Sequence, residues 1–556
     1  MNVAPLGASS RAPLAAFLAV AAASAALLAW GTDRIPMTAA YQDRVSQIHA
    51  QDEATYSRVT LEMVFGGDWL TPRVLGRFFL YKPPLFYWFS GLSVKCLGLS
   101  RLSLRLPNVI AGAAAIAIVL AWCHFLNSWR TGLIGAVLML SNSVWETMSR
   151  LACMDVLLAS AILLALFFLM RDPVLARRSS LIGFGGATAA AIMTKSVAGA
   201  IPILTLAAFA ILAGSGKRPP LRRIVYALAV VCVLAAPWHT YQLIAHRQWF
   251  VTEYITAQLF GFGAHPPVPS SETAFWFYAR RLFATDPVLA ILFLLGLPGL
   301  LAAIRRRGTP ALILCTWLAV TMLAVCAFQA RNFLYAVLLI PPLCLVAAGY
   351  SIVPPRFELL LLLGLVGLGI GKVYADAPWD LAFYRIGTPQ PQLNLRAYAD
   401  KGRTNELIVV DPDDEFYSML LPIHGVRYCW IGQIQALQRY APHLVDLGIT
   451  MPSAQFIDLG RYQPQYEALL RRWDLDSSDP IATSIVAPSA ADVLLMVHSR
   501  PASDFYLPGQ MLGDNPNQFA ATHSIEPALA GRAFLLSRTA PKTARWTPIP
   551  SRARNL

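Results

Sequence analysis

The sequence predicts a polytopic α-helical membrane protein with a C-terminal soluble α/β domain. Three observations predict this class. Of 556 residues, 56% are hydrophobic and only 14% are charged, where a soluble globular chain carries about 25%. Apolar runs long enough to cross about 30 Å of hydrocarbon recur as far as residue 373 and then stop. The charge divides at the same boundary. Residues 1–374 hold 29 of the 45 Lys+Arg and 13 of the 31 Asp+Glu, whereas residues 375–556 hold 16 and 18. The net +14 therefore belongs to the apolar part. There the basic residues punctuate apolar runs instead of covering a polar surface, which argues against a nucleic-acid binder. Disorder and a small disulfide scaffold are excluded by the same composition. Seven of the eight cysteines precede residue 350, and they read as buried small apolar side chains.

Eleven runs qualify as spans: 12–30, 106–126, 131–149, 154–170, 179–195, 198–214, 224–243, 285–304, 309–328, 333–352 and 357–373. A twelfth candidate, 83–99, is short, opens on two prolines and contains Lys95. The positive-inside rule arbitrates. If 83–99 does not cross, Arg130, Arg171, Arg177, Arg178, Lys217, Arg218, Arg222, Arg223, Arg305, Arg306, Arg307 and Arg356 all fall on the cytoplasmic side with Arg11. If it crosses, the clusters between spans are all inverted. The segment 83–99 is thus expected to lie along the outer interface, and the first run is read as an uncleaved span. This topology exposes three regions on the outer face: 31–105, 244–284 and everything from 375. Strand-like runs at 407–410, 493–497 and 533–536 predict an α/β tail. No internal repeat is evident, which argues against a transporter built from duplicated halves.

With so few charges, each one at the outer face calls for a reason. Asp52-Glu53 opens a helical run, where capping and the helix dipole offer a plain explanation. Arg58, Tyr81 and Lys82 follow in the same loop. Asp155 begins one span, Lys195 ends another, and His265 and Arg280-Arg281 lie in the second large outer loop. Arg331 and Tyr335 open a late span. Long basic side chains can snorkel; the short side chain of Asp155 cannot, so an ionisable group there reads as functional. Carboxylates can act as a general base or stabilise positive charge, and Lys and Arg can hold phosphate. No P-loop or G-x-G-x-x-G is present. A site at the outer interface points instead to a lipid-carried donor.

The stretch DEATYSRVTLEMVFGGDWLTPRVLGRFFLYKPPLFYW, residues 52–88, resembles the first periplasmic loop of bacterial membrane glycosyltransferases of the GT-C fold. The nearest groups are the lipid A aminoarabinose transferases and the protein O-mannosyltransferase-like family. Shorter matches are Arg105-Leu106-Pro107, Met154-Asp155, Thr194-Lys195 and Pro237-Trp238-His239. The resemblance implies transfer of a sugar from undecaprenyl phosphate to a lipid A-like glycolipid or other envelope acceptor, at the periplasmic face of the bacterial inner membrane, with inversion. It implies Asp52 and Asp155 as catalytic carboxylates and Lys82 with Arg280 or Arg281 as the phosphate site. It implies Glu53, Tyr56, Arg58, Tyr81, Lys195, His265 and Tyr335 as substrate-binding. Where aminoarabinose transferases commonly carry a Glu before Lys-Pro, this chain has Tyr81. That departure removes one ligand from any divalent-metal site, and no cofactor is assigned. The expected partners are the polyprenyl-linked donor, a lipid or glycan acceptor and the bilayer, with the chain a monomer and no nucleic acid bound. The competing readings are a protein O-glycosyltransferase of the same fold and, from other classes, a lipid or sugar flippase or a membrane sensor.

Overall fold

A computed structural model describes residues 11–34, 49–74, 77–126, 128–214, 216–261, 273–327, 333–351 and 354–375, together with five strands between 406 and 538. The first described part is helical. Its elements are α1 (Arg11–Ala29), α2 (His49–Gly66), α3 (Leu85–Leu97), α4 (Arg101–Leu126), α5 (Trp129–Leu140), α6 (Ser143–Ser149), α7 (Met154–Arg171), α8 (Arg178–Lys195), α9 (Ile201–Leu212) and α10 (Leu221–Ala245). A π-helix follows at Phe250–Gly261, then α11 (Ala274–Thr285), α12 (Pro287–Arg305), α13 (Thr309–Ala327), α14 (Ile340–Gly349) and α15 (Pro355–Ala375). Among the described residues, six helical segments are long and apolar enough to cross a membrane: Arg101–Leu126, Met154–Arg171, Arg178–Leu212, Leu221–Ala245, Pro287–Arg305 and Thr309–Ala327. The core between them is aliphatic and aromatic, with Trp122 of α4 stacked on Trp317 of α13 at 6.0 Å.

The expected spans lie on helices, and the structure refines three of them. The run 131–149 is two helices, α5 and α6. Asn142 breaks it by accepting the Trp145 N–H at 2.9 Å as the cap of α6. Asp286, the residue before α12, accepts from Asn142 Nδ2 at 3.0 Å and from the Ser143 N–H at 3.2 Å. The run 333–352 opens with a 3₁₀ segment, Phe333–Leu338, before α14. Between α8 and α9 the chain turns through Ser196–Ala200, and a Cβ on Gly199 would meet the Ala191 carbonyl carbon at 2.3 Å, so only glycine fits there.

Segment 83–99 forms α3, 13 residues long. At 1.5 Å per residue it reaches only about 20 Å, too short for the hydrocarbon layer. Its Phe86, Tyr87, Ser90, Gly91 and Val94 are buried against α2 and α4, while Phe89, Leu92 and Leu97 are exposed. A small antiparallel pair, β1 (Arg73–Val74) with β2 (Arg77–Phe78), lies between α2 and α3. The cysteines divide: Cys123, Cys153 and Cys344 are buried, whereas Cys96 and Cys232 are exposed on helix surfaces. The uniform burial expected of them is therefore corrected.

The tail strands are β3 (Glu406–Val410), β4 (Arg427–Ile431), β5 (Asp492–Met496), β6 (His523–Leu529) and β7 (Ala533–Arg538), in the order β4-β3-β5-β7-β6. β3 runs parallel to both β4 and β5, and β7 is antiparallel to β5 and β6. The three strand-like runs seen in the sequence fall on β3, β5 and β7.

Candidate active site

Two helix ends form the base of the site. Asp155 lies in the first turn of α7 and Lys195 in the last turn of α8. A helix N-terminus favours an anion and a C-terminus a cation, so the antiparallel α7–α8 pair suits both charges. The Lys195 ammonium donates to Asp155 Oδ1 at 2.6 Å, with the carboxylate side chain 2% exposed and the lysine 14%. The same ammonium lies 5.1 Å from the centre of the Tyr335 ring.

α2 supplies a third group. Asp52 sits half-buried in its first turn, as its sequence context predicts. Glu53, one residue on, points elsewhere. Arg105 of α4 donates to it from Nε at 2.7 Å and Nη2 at 2.8 Å, and the Ala152 N–H donates to Glu53 Oε1 at 2.7 Å. Both side chains of this pair are fully buried, and Arg105 also donates from Nη1 to the Thr32 carbonyl at 2.6 Å. Glu53, expected to bind substrate, has both oxygens engaged by fixed donors inside the protein. Asn108 of α4 donates to the carbonyls of Leu151 and Cys153. Glu53 and Asn108 thus hold the segment leading into Asp155, and tie its position to the start of α2.

Lys82 completes the cluster from the segment before α3. Burial pushes its pKa down from 10.5 to about 7, the charge of Lys195 adds to the fall, and the charges of Asp52 and Asp155 oppose it. Those terms decay with distance, so they place all four charges in one neighbourhood. Tyr56 reports the same convergence. Burial raises its hydroxyl pKa, and the charges of Asp52, Tyr87 and Asp155 raise it further. The Lys82 ammonium donates to the side-chain Oε1 of Gln258 on the π-helix.

The remaining predicted residues are placed less centrally. Tyr56 and Arg58 are buried, and the Tyr56 ring, 6.5 Å from Phe86 and 6.2 Å from Tyr87, braces α2 against α3. Tyr81 is half-buried beside Phe79, with ring centres 5.3 Å apart. Arg280 is exposed on α11, and Arg281 lies over the Phe277 ring at 4.5 Å. α11 packs against the 3₁₀ segment that carries Tyr335. His265 and Arg331 lie outside the described residues. Among the described residues, no group of three or more His, Cys, Asp or Glu side chains converges. His239 donates from Nδ1 to the Ala235 carbonyl at 2.8 Å, which leaves Nε2 to accept from Tyr254 Oη at 2.6 Å, the bond of an anchor.

The sequence reading missed Glu253, Gln258 and Asn108. Each is a neutral or isolated residue whose partner lies far along the chain, and no local spacing marks it.

The geometry can be set beside known proteins. A family model described as dolichyl-phosphate-mannose-protein mannosyltransferase matches residues 81–261. The undecaprenyl phosphate-alpha-4-amino-4-deoxy-L-arabinose arabinosyl transferase of Aeromonas salmonicida is 26% identical over 54% of this chain and 55% of its own. Its counterpart in Pectobacterium carotovorum is 27% identical over 62% of each chain. The chain thus spans between about half and three-fifths of the length of these curated relatives. Among solved structures, the crystal structure of ArnT from Cupriavidus metallidurans bound to undecaprenyl phosphate superposes with a TM-score of 0.62, covering 96% of this chain and 99% of that one at 16% identity. This chain has the fold of that transferase. The resemblance to the aminoarabinose transferases and to the protein O-mannosyltransferase-like family is borne out by these matches. The same protein in its apo state gives a TM-score of 0.57.

Proposed function

We propose that this chain is an integral inner-membrane glycosyltransferase that moves a sugar from an undecaprenyl-phosphate carrier to an acceptor at the periplasmic face. The convergence of Lys82, Asp52, Asp155 and Lys195 supports it best. A polyprenyl phosphate leaves readily once its developing charge is held by fixed cations. Lys82 takes that role, with Arg280 or Arg281 as its second cation. The acceptor oxygen attacks the anomeric carbon from the opposite side, which inverts the centre. Asp52 deprotonates or orients a hydroxyl acceptor, and Asp155, held by Lys195, is the second acidic residue. Tyr335 and Tyr81 line the substrate path, His265 is a further candidate to bind substrate, and Tyr56 and Arg58 support the loop. The relatives named as aminoarabinose transferases favour a lipid acceptor. The description of the family matching 81–261 favours a protein hydroxyl as the alternative.

We read eleven spans, with 83–99 on the outer interface and residues 31–105, 244–284 and the tail in the periplasm. The basic residues between spans support this orientation. We divide the chain into a membrane domain, 1–374, and a soluble α/β domain, 375–556, and take the protein to act as a monomer. Parallel strand pairs need crossover connections of a dozen or more residues, usually helical, which supports the α/β reading of the tail.

The deciding experiment is transfer by the full chain in lipid vesicles, supplied with undecaprenyl-phosphate-linked sugars and either lipid A or an envelope protein extract. The proposal expects release of undecaprenyl phosphate together with a glycosylated product. Movement of the intact donor across the vesicle membrane, with no product from either acceptor, would instead establish a flippase.

A further inference from the structure

The segment that carries Lys82 does not stand alone. Leu70 presents its carbonyl to two side chains of α10, Trp238 Nε1 at 2.9 Å and Gln242 Nε2 at 2.7 Å. Phe78 lies 4.5 Å from the His246 ring and 5.7 Å from the Trp249 ring, centre to centre. The π-helix then makes two polar contacts of its own. Glu253 Oε2 accepts the Leu80 N–H at 2.7 Å, and the Gln258 side-chain Oε1 accepts from the Lys82 ammonium. The two acceptors are five residues apart, and the groups they hold are two residues apart.

That spacing explains the unusual helix. In an α-helix, residues five apart point about 140° away from each other, so Glu253 and Gln258 could not both face one extended segment. A π-helix closes its hydrogen bonds five residues on, which stacks such residues on successive turns. Glu253 is 2% exposed, and its Oε1 meets no partner among the described residues. It is therefore an anchor that sets the register of the helix on the Leu80 N–H, from within the protein. Gln258 is the element of the pair that reaches a site residue. Its amide is neutral. It can fix the direction of an ammonium without cancelling the charge, as a carboxylate would.

We infer that Gln258 is a positioning residue for the phosphate-binding cation, presented to Lys82 by the π-helix. The inference rests on Lys82 holding the phosphate of a polyprenyl-linked donor, and it goes beyond that reading in giving Gln258 of the π-helix a defined part in donor recognition.

The test uses the full chain in detergent with a polyprenyl-phosphate sugar as donor. Three variants are compared: Gln258→Leu, Gln258→Glu and Lys82→Met. Thermal unfolding of each preparation identifies any variant that fails to fold. A hydrogen bond to a charged group is at stake, so Gln258→Leu should weaken inhibition by undecaprenyl phosphate about tenfold, with the acceptor KM unchanged. A carboxylate beside an ammonium raises its pKa. Gln258→Glu should therefore move the alkaline limb of donor kcat/KM to higher pH, a readout that a packing role would not shift. Wild-type inhibition in Gln258→Leu together with an unmoved limb in Gln258→Glu would overturn the inference. If Lys82→Met keeps wild-type donor binding, the reading of Lys82 itself fails. If Lys82→Met loses binding while both Gln258 variants behave as wild type, only the role of Gln258 fails.

Discussion

Asp52 and Glu53 are neighbours in one turn of α2, yet their surroundings are opposite. Glu53 is fully buried, with its oxygens taken by Arg105 and the Ala152 N–H. Asp52 is half-buried, and its charge acts on Lys82 and Tyr56. The Asp155–Lys195 pair lies between these extremes, with its ammonium on one carboxylate oxygen and the lysine still partly accessible. A carboxylate saturated by fixed donors has no partner to exchange with a substrate, so it serves the architecture. One that stands at the edge of a mixed cluster of acids and bases can exchange partners during a reaction. The comparison separates the two acidic residues by role, although they are adjacent in sequence and similar in chemistry.

Substitution at Asp52 should have the largest effect. Asp52→Asn keeps the shape and removes the charge and the base. Transfer should fall by about 10²–10⁴-fold, with the unfolding temperature unchanged.

Glu53→Ala should act on the fold instead. It leaves Arg105 buried without its counter-charge, which costs about 3–5 kcal/mol. Reduced yield and a lower unfolding temperature in detergent would show it, and the protein that does fold should retain its donor KM.

The distinction between these two residues was not legible in the sequence. Both lie in an acidic pair at a helix start, and which one turns inward depends on the rotation of α2 and on Arg105, more than fifty positions away. The place of Asp155 in a charged cluster was legible because a short carboxylate at the edge of an apolar run cannot snorkel and needs a partner. Lys82 was legible through the motif around it. Gln258 was not. A neutral amide in a largely apolar stretch carries no signal, its partner is 176 positions away, and the π-helical pitch that aims it leaves no mark in hydrophobic periodicity. The helices themselves were largely legible, since apolar length is read directly. Their breaks at Asn142 and Gly199 depended on caps and close approaches made by the folded chain.

A smaller effect should appear with pH. Burial and Lys195 lower the Lys82 pKa from 10.5 to about 7, so its cation is present below pH 7 and lost above it. Donor kcat/KM should fall up to tenfold per pH unit above that point. Lys82→Arg, which stays charged, should flatten the limb. The sign for stability is the reverse. The unfolded lysine keeps its proton to higher pH than the folded one, so the contribution of Lys82 to stability rises between about pH 7 and 10.5. Glu53 takes no part in this profile, and its variants should keep the wild-type limb.

The most direct measurement compares Asp52→Asn with Glu53→Gln, recording sugar transfer and thermal unfolding on the same preparations. Asp52→Asn should unfold with the wild type and transfer sugar about 10²–10⁴-fold more slowly. Glu53→Gln should unfold at a lower temperature, while its folded fraction transfers at close to the wild-type rate. Wild-type transfer by Asp52→Asn, or loss of transfer by Glu53→Gln at an unchanged unfolding temperature, would contradict the assignment of one residue to chemistry and the other to the fold.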